Sequence, residues 1–259
     1  MLDIERIYSS FIDQKQEERN ENYKDFEGWF GASSAGHCHK KQYYKLTNTE
    51  AEKTTERVSR LLRLGTIVHK DIEESILAWN KSNKTKIHTE KRVTIPELKV
   101  IGHVDILEEE DNVNRIYDFK TVASYKWKKK FGHLKNRDKN ADINYKLQLG
   151  TYGLAAGKSP EDTELYLIWY NKDNSSMKKP VPIDSRWMNI AKEYWEKLRH
   201  NIDMWTGAAN LEPDELKEDG ITVPLKENKE WECNLCQYYY RCGSKYNTKK
   251  QKTQTALTW

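Results

Sequence analysis

The segment LKVIGHVDILEEEDNVNRIYDFKTV (residues 98–122) decides the fold. Two runs rich in β-branched residues, Leu98–Leu107 and Arg115–Val122, flank the polar stretch EEEDNVN. Such runs predict strands, and a polar stretch between them predicts a turn. We therefore expect an antiparallel hairpin that turns within this stretch and brings Asp105 opposite Asp118.

The hairpin carries residues suited to phosphodiester hydrolysis. Side chains alternate along a strand, so Asp118 and Lys120 share one face and Phe119 points to the other. Directly opposed residues have Cβ atoms about 5 Å apart, so Asp105 and Asp118 could share Mg²⁺ or Mn²⁺. Such an ion polarises a phosphodiester, and a neighbouring lysine stabilises the developing negative charge. Charges that alternate on the solvated face of a hairpin would give the same D-x-K pattern, so the pattern alone leaves both interpretations open.

Helical and strand patterns alternate on both sides of the hairpin. A helix with an apolar stripe and a strand precede it; a basic loop, a helix, two strands and a Trp-rich helix follow it. In chain order, these elements are predicted at residues 54–80, 86–95, 125–139 and 142–156, on either side of the turn at 171–176, and at 185–205. The alternation predicts an α/β fold with a mixed central sheet flanked by helices.

Two further motifs lie in the helices next to the hairpin. Gly65-Thr-Ile-Val-His69 falls in the preceding helix, and Gln148 and Tyr152 share one surface of the following helix. The order G-x-x-x-H, G-x-x-D, D-x-K, Q-x-x-x-Y resembles the RecB-like branch of the PD-(D/E)XK nucleases. Within that branch it looks most like the CRISPR-associated exonucleases and the AddB-type nuclease domains. The resemblance extends over about residues 31–243 and implies a restriction-endonuclease-like core.

The resemblance implies a set of metal ligands. It makes Asp105 and Asp118 ligands of Mg²⁺ or Mn²⁺, with the main-chain carbonyl of Phe119 as a further ligand. It makes His69 a metal ligand or a group that orients one. The other interpretation of His69 is a partly buried histidine whose hydrogen bonds are satisfied within the fold.

The resemblance also implies the catalytic side chains beside the metal. Lys120 becomes the catalytic lysine, in company with Asp105 and Asp118. Gln148 and Tyr152 become the residues that position Lys120 or the substrate phosphate. An ordinary polar and packed pair on the helix surface is the alternative for Gln148 and Tyr152.

The four cysteines are spaced as ligands of a metal site. Cys233, Cys236 and Cys242 form C-x₂-C-x₅-C, and Cys38 is the remaining cysteine. Thiolates two residues apart bind one metal or cluster, and Cys38 would supply the fourth ligand. Zinc fits four thiolates equally well, and one of the two histidines that flank Cys38 could then replace it. A redox C-x-x-C is disfavoured because no βαβ pattern accompanies it, and buried cysteines without a metal would leave the spacing unexplained.

One upstream cysteine with a C-terminal C-x₂-C-x₅-C is similar to the iron–sulfur signature of the same two nuclease groups. The resemblance therefore implies a [4Fe–4S] cluster, with Zn²⁺ as the alternative. Its ligands would be Cys38, Cys233, Cys236 and Cys242. The cluster would close a cysteine-clamped iron–sulfur lobe attached to the α/β core.

A basic stretch follows the D-x-K strand. Residues Tyr125–Lys139 include seven Lys or Arg and three aromatic residues. Basic side chains contact phosphates and aromatic rings stack on unpaired bases, which would suit a single-stranded substrate. The predicted DNA contacts are Lys126, Trp127, Lys128, Lys129 and Lys130. A solvated basic loop has the same composition, and a net charge of +4, from 44 basic and 40 acidic residues, adds little support for nucleic-acid binding.

The sequence contains neither the apolar stretch of a signal peptide nor a run long enough to span a membrane. We therefore expect a cytoplasmic protein, and disulfides are rare in that compartment. The predicted domains are a helical extension (1–30), a nuclease core (31–207), a linker with the iron–sulfur lobe (208–243) and a flexible tail (244–259). Cys38 would belong to the core and contribute to the cluster.

These features predict a metal-dependent DNA exonuclease that prefers single strands or free ends. No G-x-x-x-x-G-K-[ST] motif is present, so the sequence carries no P-loop ATPase motor. Two other functions stay open. One is a catalytically inactive nuclease fold that binds DNA or a partner protein, and the other is a structure- or site-specific endonuclease of the same superfamily.

Overall fold

The computed structural model describes residues 2–133, 135, 137–138, 142–205, 215–218, 221–224, 232–233 and 236–242. The chain forms two compact units, one of residues 1–35 and 55–192, the other of residues 36–54 and 193–259. No helix within the described ranges is long and apolar enough to cross a membrane. The domain boundaries predicted at residues 30, 207 and 243 stay predictions, and the predicted tail (244–259) lies outside the described residues.

Helices and strands alternate through most of the described chain. The helices are α1 (Ile4–Glu21), α2 (His39–Leu46), α3 (Glu56–Asn83), α4 (Ser124–Phe131), α5 (Ile143–Ala155) and α6 (Trp187–Trp205). The strands are β1 (Phe30–Gly31), β2 (Ile87–Ile95), β3 (Val100–Glu110), β4 (Val113–Val122), β5 (Thr163–Asn171), β6 (Val181–Ile183), β7 (Glu215–Glu218) and β8 (Ile221–Pro224).

The first unit is built on one mixed sheet with the strand order β1-β3-β4-β5-β6, and β2 pairs with β3 from the other side. The pairs β2·β3, β3·β4 and β5·β6 are antiparallel, while β1·β3 and β4·β5 are parallel. The parallel pair β4·β5 is connected through α4 and α5, as parallel strands require a crossover. The predicted α/β fold with a mixed sheet is confirmed.

The β3–β4 hairpin forms as predicted. Asp111 and Asn112 both have positive φ, of 48° and 66°, which is the backbone of a tight two-residue turn between twisted strands. The ladder runs from Glu110↔Val113 to Ile106↔Tyr117 and then stops. Along the edge of β3 that faces β4, strand β1 pairs with β3 only at Val100 and Ile101. Residues 102–105 of β3 therefore lie in an open fork between β1 and β4.

Helices cover the two faces of this sheet. The side chains of Ile72 and Ile76 in α3 pack against a buried cluster that contains Ile106 and Phe119. On β4 the next side chain, Lys120, instead contacts α5. Because neighbouring residues of a strand point to opposite faces, α3 and α5 lie on opposite faces of β4.

Two sequence predictions about elements were wrong. The basic stretch predicted as a loop (125–139) begins with helix α4, because Trp127 and Phe131, four residues apart, give it an apolar side. Their ring centroids are 4.9 Å apart, and Phe131 also packs edge-on against buried Trp169. The segment predicted as a linker contains β7 and β8, which pair as an antiparallel hairpin.

The second unit joins α2 to the second half of α6 and to residues 232–242. The side chain of Gln42 donates a hydrogen bond of 2.7 Å to the Tyr194 hydroxyl. Further along, Tyr44 packs against Tyr238 with ring centroids 5.3 Å apart, and the main-chain N–H of Glu52 donates to the carbonyl of Gln237. These contacts bring the segment after Cys38 close to the C-terminal cysteine segment within one unit.

Candidate active site

The fork in the sheet brings Asp105 and Asp118 together. Asp118 is 1% exposed and Asp105 is 9% exposed. Asp105 bridges the fork, because its Oδ2 accepts a hydrogen bond of 2.6 Å from the main-chain N–H of Phe119. Burial raises the pKa of Asp118 to about 7 and that of Asp105 to about 6, although Lys120 opposes both shifts. Two carboxylates buried this closely are stable as anions only if positive charge compensates them.

Lys120 forms one hydrogen-bonded network with Asp118 and with Gln148 and Tyr152, which we call the α5 pair. Lys120 Nζ lies 2.6 Å from Asp118 Oδ2 and donates a hydrogen bond of 2.9 Å to Gln148 Oε1. Gln148 Nε2 donates to Tyr152 Oη at 2.7 Å and to Asp118 Oδ1 at 3.3 Å. Since the amide nitrogen serves these two acceptors, the amide oxygen is left to face the lysine. Residues predicted from three separate motifs thus meet in one place.

One oxygen in this network is suited to a cation. Asp118 Oδ2 is buried, and among the described residues it has no hydrogen-bond partner; Lys120 approaches it as an ion pair outside hydrogen-bond geometry. Carboxylate oxygens are the preferred ligands of Mg²⁺, so Asp105 and Asp118 fit such an ion chemically. In the described ranges, however, no three His, Cys, Asp or Glu side chains are grouped so that they could hold a metal ion.

His69 lies on α3 beside these carboxylates. Its Nδ1 is 3.9 Å from Asp105 Oδ2, and its ring meets the ring of Phe119 at a centroid distance of 6.1 Å. Burial, followed by the charge of Lys120, lowers the pKa of His69. A neutral imidazole is the form that binds metal ions. The structure does not assign the Phe119 carbonyl, which stays a predicted ligand.

The glycines of two motifs permit close approaches around the site. A Cβ on Gly102 would lie 2.6 Å from Tyr152 Cε1 and 2.8 Å from the Cβ of Ala32. A Cβ on Gly65 would lie 2.9 Å from Thr121 Oγ1, at the end of β4. These glycines therefore let Tyr152 and α3 pack directly against the strands that carry the carboxylates.

Glu90 is a site neighbour that the sequence motifs did not indicate. The register of β2 on β3 brackets it between Thr89↔Ile106 and Lys91↔Val104, so it lies opposite Asp105. Its φ of 48° is unusual for a residue other than glycine within a strand. Burial and the nearby Glu90 carboxylate raise the pKa of Glu73, one turn after His69 on α3, to about 7. No local pattern marks Glu90, because its place depends on the pairing of two strands.

The basic helix α4 starts two residues after β4 ends, and several of its predicted DNA contacts already have partners within the chain. Lys126 Nζ donates a hydrogen bond of 2.6 Å to the Tyr145 hydroxyl, and Lys130 forms an ion pair with buried Asp142. Trp127 packs on Phe131, while Lys128 is exposed and Lys129 lies over the ring of Tyr125 at 5.8 Å. Tyr125 itself is 75% exposed, which makes it a more accessible stacking surface than Trp127.

The four cysteines all lie in the second unit, and none forms a disulfide. Cys38, Cys233 and Cys242 are buried and Cys236 is half-buried. The main-chain N–H of Cys236 donates a hydrogen bond of 3.1 Å to the carbonyl of Cys233, and the N–H of Tyr238 donates to Cys236 Sγ at 3.5 Å. The main-chain N–H of Cys38 donates a hydrogen bond of 3.0 Å to the side-chain Oε1 of Glu232. All four cysteines are among the described residues, yet no three of them are grouped so that they could hold a metal ion.

The sequence model of the PD-(D/E)XK nuclease superfamily matches residues 72–243, about two-thirds of the 259 residues. The match contains the carboxylates of the fork, the D-x-K lysine and the α5 pair, and it ends one residue after Cys242. This chain belongs to the PD-(D/E)XK nuclease superfamily. The predicted resemblance is confirmed at the level of the superfamily.

Two solved structures are similar to this chain. The crystal structure of SSO0001 matches with a TM-score of 0.52 at 14% identity, over 91% of this chain and 96% of that one. A "Putative exonuclease" from Eubacterium rectale matches with a TM-score of 0.47 at 15% identity, over 71% of this chain and 84% of that one. Comparison with curated protein sequences gives no match.

Membership of the PD-(D/E)XK superfamily gives the site its chemical class. Nucleases of this superfamily act on nucleic acid and typically use divalent metal ions such as Mg²⁺. The buried carboxylate pair with an adjacent lysine, which the fork assembles, suits that chemistry. The site of this PD-(D/E)XK protein is therefore a candidate site for nucleic-acid cleavage.

Proposed function

We propose that this PD-(D/E)XK protein is a DNA exonuclease that prefers single strands or free ends. The observation that carries the proposal is the Lys120–Gln148–Tyr152 network against the two buried carboxylates, Asp105 and Asp118. A protein that only bound DNA would have no need of a buried ammonium group held against paired acids.

Each residue of the site has a role in the proposed reaction. Asp105 and Asp118 would hold Mg²⁺ or Mn²⁺, with His69 and the Phe119 carbonyl as further ligands. Such an ion polarises the phosphodiester and lowers the pKa of a bound water. Lys120 would donate to the phosphate oxygen as negative charge develops on it.

The α5 pair would keep Lys120 in place during the reaction. Gln148 accepts a hydrogen bond from the lysine, and Tyr152 accepts one from Gln148, so the amide cannot turn without losing both. Tyr152 is buried, and burial, followed by the charges of Asp118 and Asp105, raises its pKa well above the ordinary value. The phenol therefore stays neutral and can keep its place in the network.

The preference for single strands rests on α4. Lys128 and Lys129 would contact phosphates, and Tyr125 would offer an exposed ring to an unpaired base. Lys126 and Lys130 would support this surface through their contacts with Tyr145 and Asp142, and Trp127 through its contact with Phe131.

We also propose that Cys38, Cys233, Cys236 and Cys242 bind a [4Fe–4S] cluster, with Zn²⁺ as the other occupant that four thiolates admit. The proposal is supported by the C-x₂-C-x₅-C spacing and by the placement of all four cysteines in one unit, and it requires their thiols to move closer together when the metal binds. Iron, sulfide and zinc analysis of protein purified without oxygen decides between the two occupants.

The function is tested with purified protein on DNA substrates labelled at either end. Linear single strands should be shortened with Mg²⁺ or Mn²⁺ but not with EDTA, and circular single strands should stay intact. Lys120→Met, which keeps the length of the side chain and removes its charge, is the matched inactive control. Cleavage of circles would replace the exonuclease with an endonuclease, and binding without any cleavage would support the inactive binding module.

A further inference from the structure

Tyr145 lies in the first turn of α5, three residues before Gln148, and the roles proposed above do not use it. Two ammonium groups share its side chain. Lys120 Nζ lies 4.9 Å from the ring centroid, and Lys126 Nζ lies 3.9 Å from it. Lys126 also donates a hydrogen bond of 2.6 Å to the Tyr145 hydroxyl. One ring thus touches both the D-x-K lysine and the first lysine of the basic helix.

The surroundings of Tyr145 hold its ring in place. It packs edge-on against Trp169, which is fully buried, with centroids 5.5 Å apart. Phe131 of α4 packs edge-on against the same Trp169 at 5.5 Å. Tyr145 is therefore a fixed surface between β5, α5 and α4 rather than a mobile side chain.

The ring completes the enclosure of the Lys120 ammonium group. Asp118 and Gln148 contact this group from two directions, and the side chain is only 13% exposed. A cation within about 6 Å of an aromatic face is attracted to it, most strongly where water is excluded. Without the ring, Lys120 would keep two polar partners but gain freedom to move away from Asp118.

We propose that Tyr145 is a positioning residue for two lysines: its ring holds Lys120 against Asp118, and its hydroxyl holds Lys126 ready for a phosphate of the substrate. This inference rests on the proposed nuclease function for its kinetic consequence but not for its structural one. The roles of the Tyr145 ring and of its hydroxyl can be tested separately. Tyr145→Phe removes the hydroxyl and keeps the ring, and Tyr145→Leu removes both.

The structural consequence is measured without DNA or activity. Pulse labelling with an amine-reactive acylating reagent, read by mass spectrometry, reports how accessible each lysine is. Tyr145→Leu should increase the labelling rates of both Lys120 and Lys126 about threefold to tenfold, the range expected for loss of a cation–π contact. Tyr145→Phe should increase the rate at Lys126 alone. Lys146, which contacts Trp187 and Asp142 instead, is the internal reference whose rate should not change.

The kinetic consequence is a split between kcat and KM on linear single-stranded DNA. Tyr145→Leu should lower kcat about tenfold, because Lys120 is displaced from the reacting phosphate. Tyr145→Phe should leave kcat within about twofold and raise KM about threefold, because Lys126 must then be ordered upon binding. Tyr166→Leu removes a ring stacked on Tyr117 at 5.0 Å in the same sheet and should change neither constant.

The outcomes separate this inference from the nuclease proposal. A wild-type protein that cleaves no DNA contradicts the proposed function, and the labelling pattern still decides the role of Tyr145. Unchanged labelling of Lys120 in Tyr145→Leu overturns the inference, whether or not the protein cleaves. If Tyr145→Leu fails to fold, Tyr145→Phe decides: selective exposure of Lys126 supports the link, and its absence refutes it. Equal losses of kcat in both variants and in Tyr166→Leu would reduce Tyr145 to a packing residue.

Discussion

The surroundings of the active-site fork and the segments around the cysteines bury different kinds of side chain. Around the fork the buried residues include many aliphatic ones, namely Val104, Ile106, Leu107, Ile116, Leu147, Leu149, Leu165 and Leu167. In the second unit, the buried residues described within 36–54 and 232–242 are three cysteines, Tyr238 and three polar side chains. No aliphatic residue is buried in the described parts of those two segments.

This difference indicates how each region is stabilised. Burial of aliphatic surface stabilises the region around the fork. The segments around the cysteines lack that contribution, and a bound metal or cluster would have to supply it. Activity and stability should therefore be lost through different residues.

The largest expected effect is on activity in the first unit. Lys120→Met and Asp118→Asn should each lower the cleavage rate about 10²–10³-fold, because they remove charge stabilisation and a metal ligand respectively. Asp118→Asn should melt within a few degrees of the wild type, whereas Lys120→Met should melt lower, because buried Asp118 loses its compensating charge. Lys91→Met, which removes an ion-paired lysine on neighbouring β2, is the control and should stay active. Full activity in Lys120→Met would refute the assigned site.

The next effect is on stability in the second unit. Cys233→Ser should lose the broad visible absorbance of a cluster and melt roughly 10 °C lower, because metal-binding energy contributes to folding. Activity should fall only as the folded population falls. Asp118→Asn serves as the reciprocal control, since it should keep the absorbance and the melting temperature. A Cys233→Ser protein with unchanged stability would show that the cysteines do not stabilise this unit.

A pH titration of stability sharpens the comparison. Asp105 and Asp118 ionise at about pH 6 and 7 in the folded chain, but near pH 4 when unfolded. The folded state then binds more protons between these limits, so metal-free protein should lose stability as the pH rises from about 4 to 7. Mg²⁺ should restore it at pH 8. The same titration of Asp118→Asn is the control, because every other titrating group is unchanged. Its curve of stability against pH should be flatter than that of the wild type. Identical curves for the two proteins would contradict the pKa assignment.

The smallest effect concerns α4. Lys128→Ala and Lys129→Ala should each reduce the slope of log affinity against log salt by about 0.7 for single-stranded DNA. Lys130→Ala should instead lower the melting temperature, because its partner Asp142 is 1% exposed and would lose a compensating charge. If all three variants keep the wild-type slope, α4 is an ordinary solvated helix.

The sequence predicted those parts of the site that depend on local spacing. The alternation in β4 predicted that Asp118 and Lys120 share a face, and they lie 2.6 Å apart. The i, i+4 spacing predicted that Gln148 and Tyr152 share a surface, and they are joined by a hydrogen bond of 2.7 Å. Residues so placed are constrained by the geometry of one strand or one helix.

What the sequence did not predict depends on tertiary contacts or on overlooked signals. Glu90 reaches the site through strand register, and Tyr145 through the packing of α5 against α4. The hairpin β7–β8 had a local signal, because Asp219-Gly220 separates two short runs and D-G is typical of two-residue turns. Helix α4 was missed because the four lysines among its eight residues obscured the Trp127–Phe131 spacing.

The long separation between Cys38 and its partners has a consequence for biosynthesis. Cys38 leaves the ribosome 195 residues before Cys233, which corresponds to roughly 10–40 s of translation at 5–20 residues per second. Throughout that interval the thiol has none of the other three cysteines beside it and is open to oxidants and competing ions. The fork, whose residues lie between 65 and 152, can assemble in the meantime. Insertion of the proposed metal or cluster would therefore have to wait until Cys233, Cys236 and Cys242 have all been synthesised.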